Sequence, residues 1–234
     1  MPEYLDEFNE RLRKDWRGSL VKVEQVKEPN AREYMHSLAR AGCVEHVSHG
    51  WYWIPDEVES FYDFLRADKN FKVVSGQSAA SFWNNDFVHR DVYSLKVKDK
   101  SYAKTLKAFA GIKGWKVEIE VVKDEPAYVE RNGLKIEPIS DSIIECLQIW
   151  AFADAFSALY LNRAHVRLKE LSRKAYWKRL PKTSVRVRQV LEYGSEKINE
   201  LTNKRIFNVK GVDIEDDFVR NELDEAAERV VKLV

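Results

Sequence analysis

The chain has 234 residues, of which 44% are apolar and 12% aromatic, a composition that favours a globular protein and excludes a disordered one. Its 39 Lys and Arg and 38 Asp and Glu residues leave a net charge of +1, which excludes a polycation of the histone type. No apolar run approaches the roughly 18 residues of a membrane helix, and the acidic start is unlike a secretory signal. Cys43 and Cys146 match no disulfide framework or metal spacing, so we expect a reduced, cytoplasmic location.

The first 55 residues contain four successive elements. Apolar residues at every third or fourth position predict a helix over 4–17, and the segment LVKVEQV then predicts a short helix. A proline at its start and a glycine after its end bound a further helix over 29–41. Two alternating runs around 48–50 predict a β-hairpin. Helix, short helix, turn, helix and hairpin in this order predict a winged helix-turn-helix domain over 1–56.

In such a domain the helix over 29–41 would be the recognition helix and the hairpin the wing. Polar side chains that lie off the apolar stripe or beside the wing are of the kinds that contact bases and phosphates. The candidate DNA-binding residues are Lys27, Asn30, Arg32, Glu33, His36, Ser37, Arg40, His49 and Trp51. Residues 1–55 hold eight Lys and Arg against nine Asp and Glu, so firm binding would need a dimer or a second basic surface. A module that contacts only proteins would have the same order of elements.

Beyond residue 57 the pattern changes to alternating helices and strands. Helices are predicted over 57–67, 76–84 and 100–110, and strands over 71–75, 91–98 and 115–122. Asn132 and Gly133 form a strong hairpin signal between two further strands. We therefore predict an α+β chain whose second domain, 57–234, contains an α/β sheet over 70–138 and C-terminal helices over 140–234.

The C-terminal region is predicted to be helical throughout. One long apolar helix covers 141–163, a second ends at Leu180, a third covers 184–203, and an acidic helix begins at Glu215. The stretch 163–188 has ten Lys and Arg against one Glu, a charge of +9 that leaves −8 for the rest of the chain.

The basic stretch has three interpretations, which the sequence leaves open. On one face of a helix its side chains would contact a phosphate backbone or an acidic partner, or they would pair with the acidic C-terminal helix. The candidate secondary basic surface consists of Arg163, Arg167, Arg173, Lys174, Lys178 and Arg179.

The run VVSGQSAASFW, followed by a strand with a carboxylate, resembles the opening of the nucleotidyltransferase fold. That fold places two carboxylates two residues apart on one strand face, where they hold a divalent metal on the nucleotide. Here Asp91 is followed at that spacing by Tyr93, so the pair is broken. We expect a nucleotidyltransferase-like shell with no cofactor and no catalytic residues. If the domain were active, the candidates would be Asp91, Glu118 and Glu120.

The N-terminal pattern joined to such a domain resembles the AbiEi family of antitoxin-type transcriptional regulators. The residues that carry this resemblance are Leu38, Gly42, Val44, Val47, Gly50 and Tyr52, followed by VSGQSAASFW and the long helix from Asp141. The resemblance implies a protein that binds inverted repeats of double-stranded DNA upstream of its own operon. It also implies that the protein counters a cognate nucleotidyltransferase toxin without a stable complex, as in type IV toxin–antitoxin systems. The lack of a long apolar run predicts no membrane partner. The alternatives are an active metal-dependent nucleotidyltransferase and a protein-binding adaptor.

Overall fold

The computed structural model describes residues 2–87 and 91–233. Over these ranges the chain is an α+β protein with ten α-helices, one short 3-10 helix and two small sheets. No helix among the described residues combines the length and the apolar character needed to cross a bilayer.

The N-terminal elements build a three-stranded sheet flanked by helices. They are α1 (Glu3–Trp16), β1 (Leu20–Lys22), the 3-10 helix Val23–Gln25, α2 (Ala31–Arg40), β2 (Glu45–Ser48) and β3 (Trp51–Trp53). The antiparallel strand order is β1-β3-β2, with Leu20 and Glu45 on either side of Trp53. The short helix predicted for LVKVEQV is wrong for its first half, because β1 pairs with β3 some 30 residues along the chain, a partner that local spacing does not reveal.

The apolar stripes of α1 and α2 form the core beneath this sheet. Leu5, Phe8 and Leu12 of α1 are buried, as are Met35 and Leu38 of α2. Both helices therefore point their remaining faces to solvent, as their three- and four-residue spacing predicts.

A five-stranded sheet follows in sequence. The elements are α3 (Phe61–Ala67), β4 (Lys72–Val74), α4 (Gly76–Trp83), β5 (Val92–Val97), α5 (Lys100–Ile112), β6 (Lys116–Val121), β7 (Val129–Arg131) and β8 (Leu134–Ile136). The strand order is β6-β5-β4-β8-β7, and β4 runs parallel to β8 with Val74 opposite Ile136. Asn132 and Gly133 both have positive φ, so the predicted hairpin turn is confirmed.

The C-terminal helices differ from the prediction in two places. They are α6 (Ile139–Gln148), α7 (Phe152–Leu161), α8 (Leu168–Ala175), α9 (Val187–Thr202) and α10 (Asp217–Val231). A single helix over 141–163 is wrong, because Trp150 has φ +65° and its ring lies 5.7 Å from both Phe152 and Phe218. Both sides of this break are apolar, so the sequence period continues across it. The helix predicted to end at Leu180 stops at Ala175, and Arg179 instead forms a β-bridge with Arg186.

The chain divides into two compact units. The first comprises Met1–Val73, Leu95–Pro126 and Glu130–Lys135, and the second comprises Val74–Ser94, Ala127–Val129 and Ile136–Val234. The first unit thus combines the predicted winged-helix segment with α3, α5 and β6.

The core of the second unit is centred on α7, whose residues are buried from Phe152 to Tyr160. Gly194 of α9 lies directly against the ring of Phe156, since a Cβ at Gly194 would be 2.1 Å from that ring. The missing side chain therefore leaves room for the Phe156 ring against α9. Val219, Leu223 and Val230 of α10 complete this core.

Candidate nucleic-acid interface

Helix α2 has one buried and one exposed face. Ala31, Met35 and Leu38 are buried in the core, whereas the polar residues between them reach solvent. The structure exposes eight of the nine predicted DNA-binding residues: Lys27, Asn30, Arg32, Glu33, His36, Ser37, Arg40 and His49. The exposed face thus combines two guanidinium groups, an imidazole and a hydroxyl with a single carboxylate.

The two carboxylates that precede α2, Glu28 and Glu24, already have partners. Glu28 forms an ion pair with Arg11 at 3.2 Å, and Glu24 with Lys22 at 3.4 Å. The pKa of Glu24 is lowered, first by a backbone hydrogen bond, then by Lys22 and, more weakly, by the charge of Arg32. Among the described residues Arg32 has no ion-pair partner, so its guanidinium is available to a ligand.

The prediction that Trp51 contacts DNA is wrong, because its side chain is buried. It is only 1% exposed, its Nε1 donates a hydrogen bond to Ser101 Oγ at 2.9 Å, and its ring centroid lies 5.8 Å from that of Tyr102. Because β3 is the central strand of its sheet and all three of its residues are buried, this indole cannot reach DNA. A tryptophan near a hairpin tip has the same sequence signature whether it stacks on a ligand or packs in the core.

The hairpin predicted to be the wing rests on helix α5. Ser48 Oγ lies 2.7 Å from Thr105 Oγ1, and Trp53 packs against Phe109 with ring centroids 5.1 Å apart. Gly50 carbonyl accepts a hydrogen bond from Val23 N at 2.9 Å. These contacts hold the hairpin in place and leave His49 exposed at its turn.

Helix α5 has a row of lysines that the sequence reasoning missed. Lys100, Lys104 and Lys107 are exposed and lie at i, i+4 and i+7, on one stripe of the helix. The helix sequence KSYAKTLKAFAGI holds no carboxylate, and none in the described parts of the chain pairs with these lysines. The sequence does show these lysines at helical spacing opposite an apolar stripe. It does not show that α5 lies beside the hairpin, which follows from the contacts of Thr105 and Ser101 with Ser48 and Trp51.

All six residues of the predicted secondary basic surface are exposed, namely Arg163, Arg167, Arg173, Lys174, Lys178 and Arg179. The expectation that they share one long helical face is wrong, because α8 covers only Leu168–Ala175. Lys174 pairs with Asp141, Arg167 with Glu170 at 3.5 Å, and Arg163 donates to the Tyr160 carbonyl at 2.7 Å.

The acidic C-terminal helix has other partners. Asp224 pairs with Lys197 at 3.7 Å and accepts a hydrogen bond from Tyr193 Oη at 3.0 Å, and Asp217 pairs with Arg220. Burial and the Asp224 carboxylate raise the pKa of Tyr193 to about 12. No ion pair in the described ranges joins α10 to the stretch 163–188, so the proposed neutralisation of one by the other is wrong for these residues.

The N-terminus of α4 is occupied by the chain's own carboxylate. Gly76 N donates a hydrogen bond to Glu137 Oε2 at 3.1 Å, and Glu137 is only 3% exposed. The carboxylate of Glu145 lies close by, since its Oε2 would be 3.6 Å from a Cβ at Gly76. Two carboxyl groups therefore lie at the start of α4, where they would repel an anion when charged.

The three conditional catalytic residues fall in two compact units, with Asp91 in the second and the two glutamates in the first. Asp91 is exposed and precedes β5 instead of lying on it. Glu118 and Glu120 are exposed on β6, in the other compact unit. Within the described residues, no group of three His, Cys, Asp or Glu side chains is placed to hold a metal.

In comparisons with known proteins, no family model, curated protein or solved structure matches this chain.

Proposed function

We propose that the protein is a sequence-specific, double-stranded DNA-binding transcriptional regulator, with its first elements acting as a winged helix-turn-helix. The exposed face of α2 carries this proposal. Arg32, His36, Ser37 and Arg40 lie opposite a stripe that is buried against α1, so the core fixes the face of α2 that carries these four residues. An α-helix with such a face fits the major groove of B-DNA.

The side-chain chemistry of α2 supports base recognition. Arginine donates two parallel hydrogen bonds to guanine, serine bonds to either type of base, and a carboxylate such as Glu33 accepts from cytosine. Arg32 and Arg40 are separated by two helical turns, so they would contact base pairs or phosphates at opposite ends of a half-site.

Phosphate contacts would come from the residues around α2. Lys27 precedes the helix, and His49 lies at the turn of a hairpin whose neighbouring helix α5 exposes Lys100 and Lys104. Each phosphate neutralised by a cation releases a counterion, so this set supplies the salt-dependent affinity that a near-neutral chain needs.

We further propose that the protein is the antitoxin of a type IV toxin–antitoxin system and represses its own operon at inverted repeats. The resemblance to the AbiEi family supports this role. The carboxylate of Glu137 at Gly76 N, together with Tyr93 in place of a second carboxylate, supports a non-catalytic nucleotidyltransferase-like domain. A domain of that shape would counter a nucleotidyltransferase toxin without catalysing the same reaction.

DNA binding is tested by fluorescence anisotropy with the DNA upstream of the protein's own gene and with a scrambled duplex, at several salt concentrations. We expect tighter binding to the upstream DNA at every salt concentration, because base contacts survive when phosphate contacts are screened. Equal affinity for the two duplexes at every concentration would overturn the proposal.

The antitoxin role is tested by co-expression with a nucleotidyltransferase encoded beside it. We expect the chain to restore growth without co-purifying with the toxin, and Asp91→Ala to restore growth equally well. Metal-dependent incorporation of labelled nucleotide by the purified chain, lost in Asp91→Ala, would instead show that it is an active transferase.

A further inference from the structure

Trp177 is the most exposed large hydrophobic residue that the structure describes. It is 81% exposed, whereas Trp51 and Trp53 are almost fully buried. Its ring meets Tyr176 at 4.6 Å between centroids with the two planes at 87°, so this contact does not cover the faces of the indole. An exposed indole lacks the stabilisation that burial would give it. A single exposed apolar side chain is common on protein surfaces, so it is the charges beside Trp177 that mark a contact surface.

The support beneath Trp177 is fixed. The guanidinium carbons of Arg186 and Arg188 lie 5.3 Å and 5.5 Å from the centroid of the Tyr176 ring. Arg188 in turn forms an ion pair with Glu192 at 2.8 Å. Tyr176 therefore packs against two arginines at the start of α9, and Trp177 is next to it in the chain.

The surroundings of Trp177 are cationic. Arg173, Lys174, Lys178 and Arg179 flank it in sequence and are all exposed. The only ion pair that these four residues form with described carboxylates joins Lys174 to Asp141. Arg173, Lys178 and Arg179, which form no ion pair with a described carboxylate, therefore lie within four residues of Trp177 in the sequence.

A groove of about 480 Å³ lies along α8, which ends just before Trp177. Arg173 and Lys174 line it together with Arg167 and His165. Glu170 also lines the groove, but its ion pair with Arg167 is exposed at 3.5 Å, and pairs of that kind contribute little. The groove thus continues the positive surface of the Trp177 segment and could hold the phosphates of a chain that passes the indole.

We propose that Trp177 and its flanking cations bind single-stranded nucleic acid. A base stacks on the indole, while Lys178, Arg179 and Arg173 contact the phosphates on either side. Stacking needs an unpaired base, because the bases of a duplex already cover one another, and this requirement distinguishes the site from the α2 face. The proposal rests on the second compact unit alone and does not depend on the proposed DNA recognition by α2.

The test measures anisotropy of the full chain with a short labelled RNA, the DNA of the same sequence, and the corresponding duplex. We expect both single strands to bind, Trp177→Ala to weaken that binding about tenfold, and Trp177→Phe to recover most of it. Phe218→Ala is the matched control, because Phe218 is 65% exposed but lies on the acidic helix α10, and it should bind as the unmodified chain does. The ratio of RNA to DNA affinity identifies which strand is preferred.

Two further variants test the cations beside Trp177. Lys178→Gln with Arg179→Gln should lower the salt dependence of single-strand binding, whereas Lys116→Gln with Lys123→Gln, which removes exposed charge from the first compact unit, should leave that binding unchanged. Single-strand binding that is equal in Trp177→Ala and the unmodified chain would overturn the proposal. So would duplex binding that is as tight and as dependent on Trp177, or an absence of single-strand binding at low salt, which would leave a protein surface as the partner.

Discussion

Asp68 is the centre of a buried polar cluster in the first compact unit. Its buried carboxylate accepts hydrogen bonds from Leu20 N at 2.9 Å and Tyr102 Oη at 2.6 Å, and it pairs with Lys72 Nζ at 3.0 Å. It also accepts from Asn70 Nδ2 at 3.0 Å, so every one of its partners is a donor. Burial, and then the neighbouring Asp68, raise the pKa of Tyr102 well above its ordinary value. This carboxylate ties β1 to α5 and the start of β4.

Replacing Asp68 with alanine should lower the free energy of unfolding by about 3–5 kcal/mol, because the buried Lys72 ammonium loses its counterion. Tyr102→Phe, which removes one hydrogen bond to the same carboxylate, should cost about 1–3 kcal/mol. Urea denaturation measures both. Arg11→Ala, which breaks an exposed ion pair, is the control and should cost less than about 1 kcal/mol. A cost below 1 kcal/mol for Asp68→Ala would contradict this assignment.

Single residues show where sequence reasoning reaches its limit. The polar segment that contains Asp68 has the composition of a solvent-exposed loop, and its burial follows from α5, which arrives some 30 residues later. The position of Trp51 near a hairpin tip predicts an exposed side chain, whereas Ser101 and Tyr102 cover it. The exposure of the polar α2 residues agrees with the prediction, because it depends on the period of one helix.

At the scale of elements, the crossing of α7 and α9 depends on a glycine. A Cβ at Gly194 would lie between 2.1 Å and 2.8 Å from three atoms of the Phe156 ring, which is fully buried and cannot move aside. Gly111, by contrast, is a helical glycine in α5 with open space around its Cβ position. Both glycines are helical, but Gly194 is buried in the middle of α9, whereas Gly111 is exposed near the end of α5.

Gly194→Ala should lower the free energy of unfolding by about 1–3 kcal/mol through overpacking. Gly111→Ala should raise it by about 0.5–1 kcal/mol, because alanine restricts the unfolded chain and fits the helix. Thermal or urea unfolding of the two variants decides the matter. The assignment fails if Gly194→Ala is as stable as the unmodified chain.

The contact between α9 and α10 predicts a response to alkaline pH. Tyr193 has a pKa of about 12 in the folded chain, raised from 10.0 by burial and by Asp224. As the pH rises from 10 towards 12, the unfolded chain loses this proton first, so stability falls across that window. Tyr193→Phe, followed by urea unfolding at several pH values, should flatten the fall. An identical slope in both proteins would contradict the raised pKa of Tyr193.

The helices also show what local patterns do and do not specify. The bounds of α9 and α10 follow from their own spacing and lie within a few residues of the prediction. At the break, Trp150 packs against Phe152 and Phe218. Phe218 lies 68 residues further along the chain, so a local sequence pattern around residue 150 does not include it. Helix α8 ends at Ala175, and the chain beyond it forms the β-bridge between Arg179 and Arg186. The residues of α8 alone do not predict this bridge.

For the whole molecule, the net charge of +1 conceals an uneven distribution. The stretch 163–188 carries +9, and α5 adds three exposed lysines with no carboxylate in the helix. Sequence counting found the first of these but missed the second, because the lysines of α5 are spread over two helical turns. Their proximity to the hairpin is a property of the fold alone.

The α5 lysines should add affinity for DNA without adding specificity. Lys100→Gln with Lys104→Gln and Lys107→Gln should weaken binding to upstream and scrambled DNA alike, and should reduce the salt slope by up to about 3. Lys116→Gln with Lys123→Gln removes exposed charge elsewhere in the same unit and serves as the control. If both sets of substitutions lower the affinity equally, the α5 lysines contribute only through the overall positive charge of the unit and do not contact the DNA.

The central claim is that α2 reads a DNA sequence. The most direct test compares the ratio of affinities for upstream and scrambled DNA in the unmodified chain and in Arg32→Ala with Arg40→Ala, at one fixed salt concentration. We predict that the double variant lowers this ratio at least about tenfold, because each guanidinium lost from a base edge costs about 1–3 kcal/mol of discrimination. A double variant that binds more weakly overall but keeps the full ratio would contradict the claim, because the two arginines would then contact phosphates only.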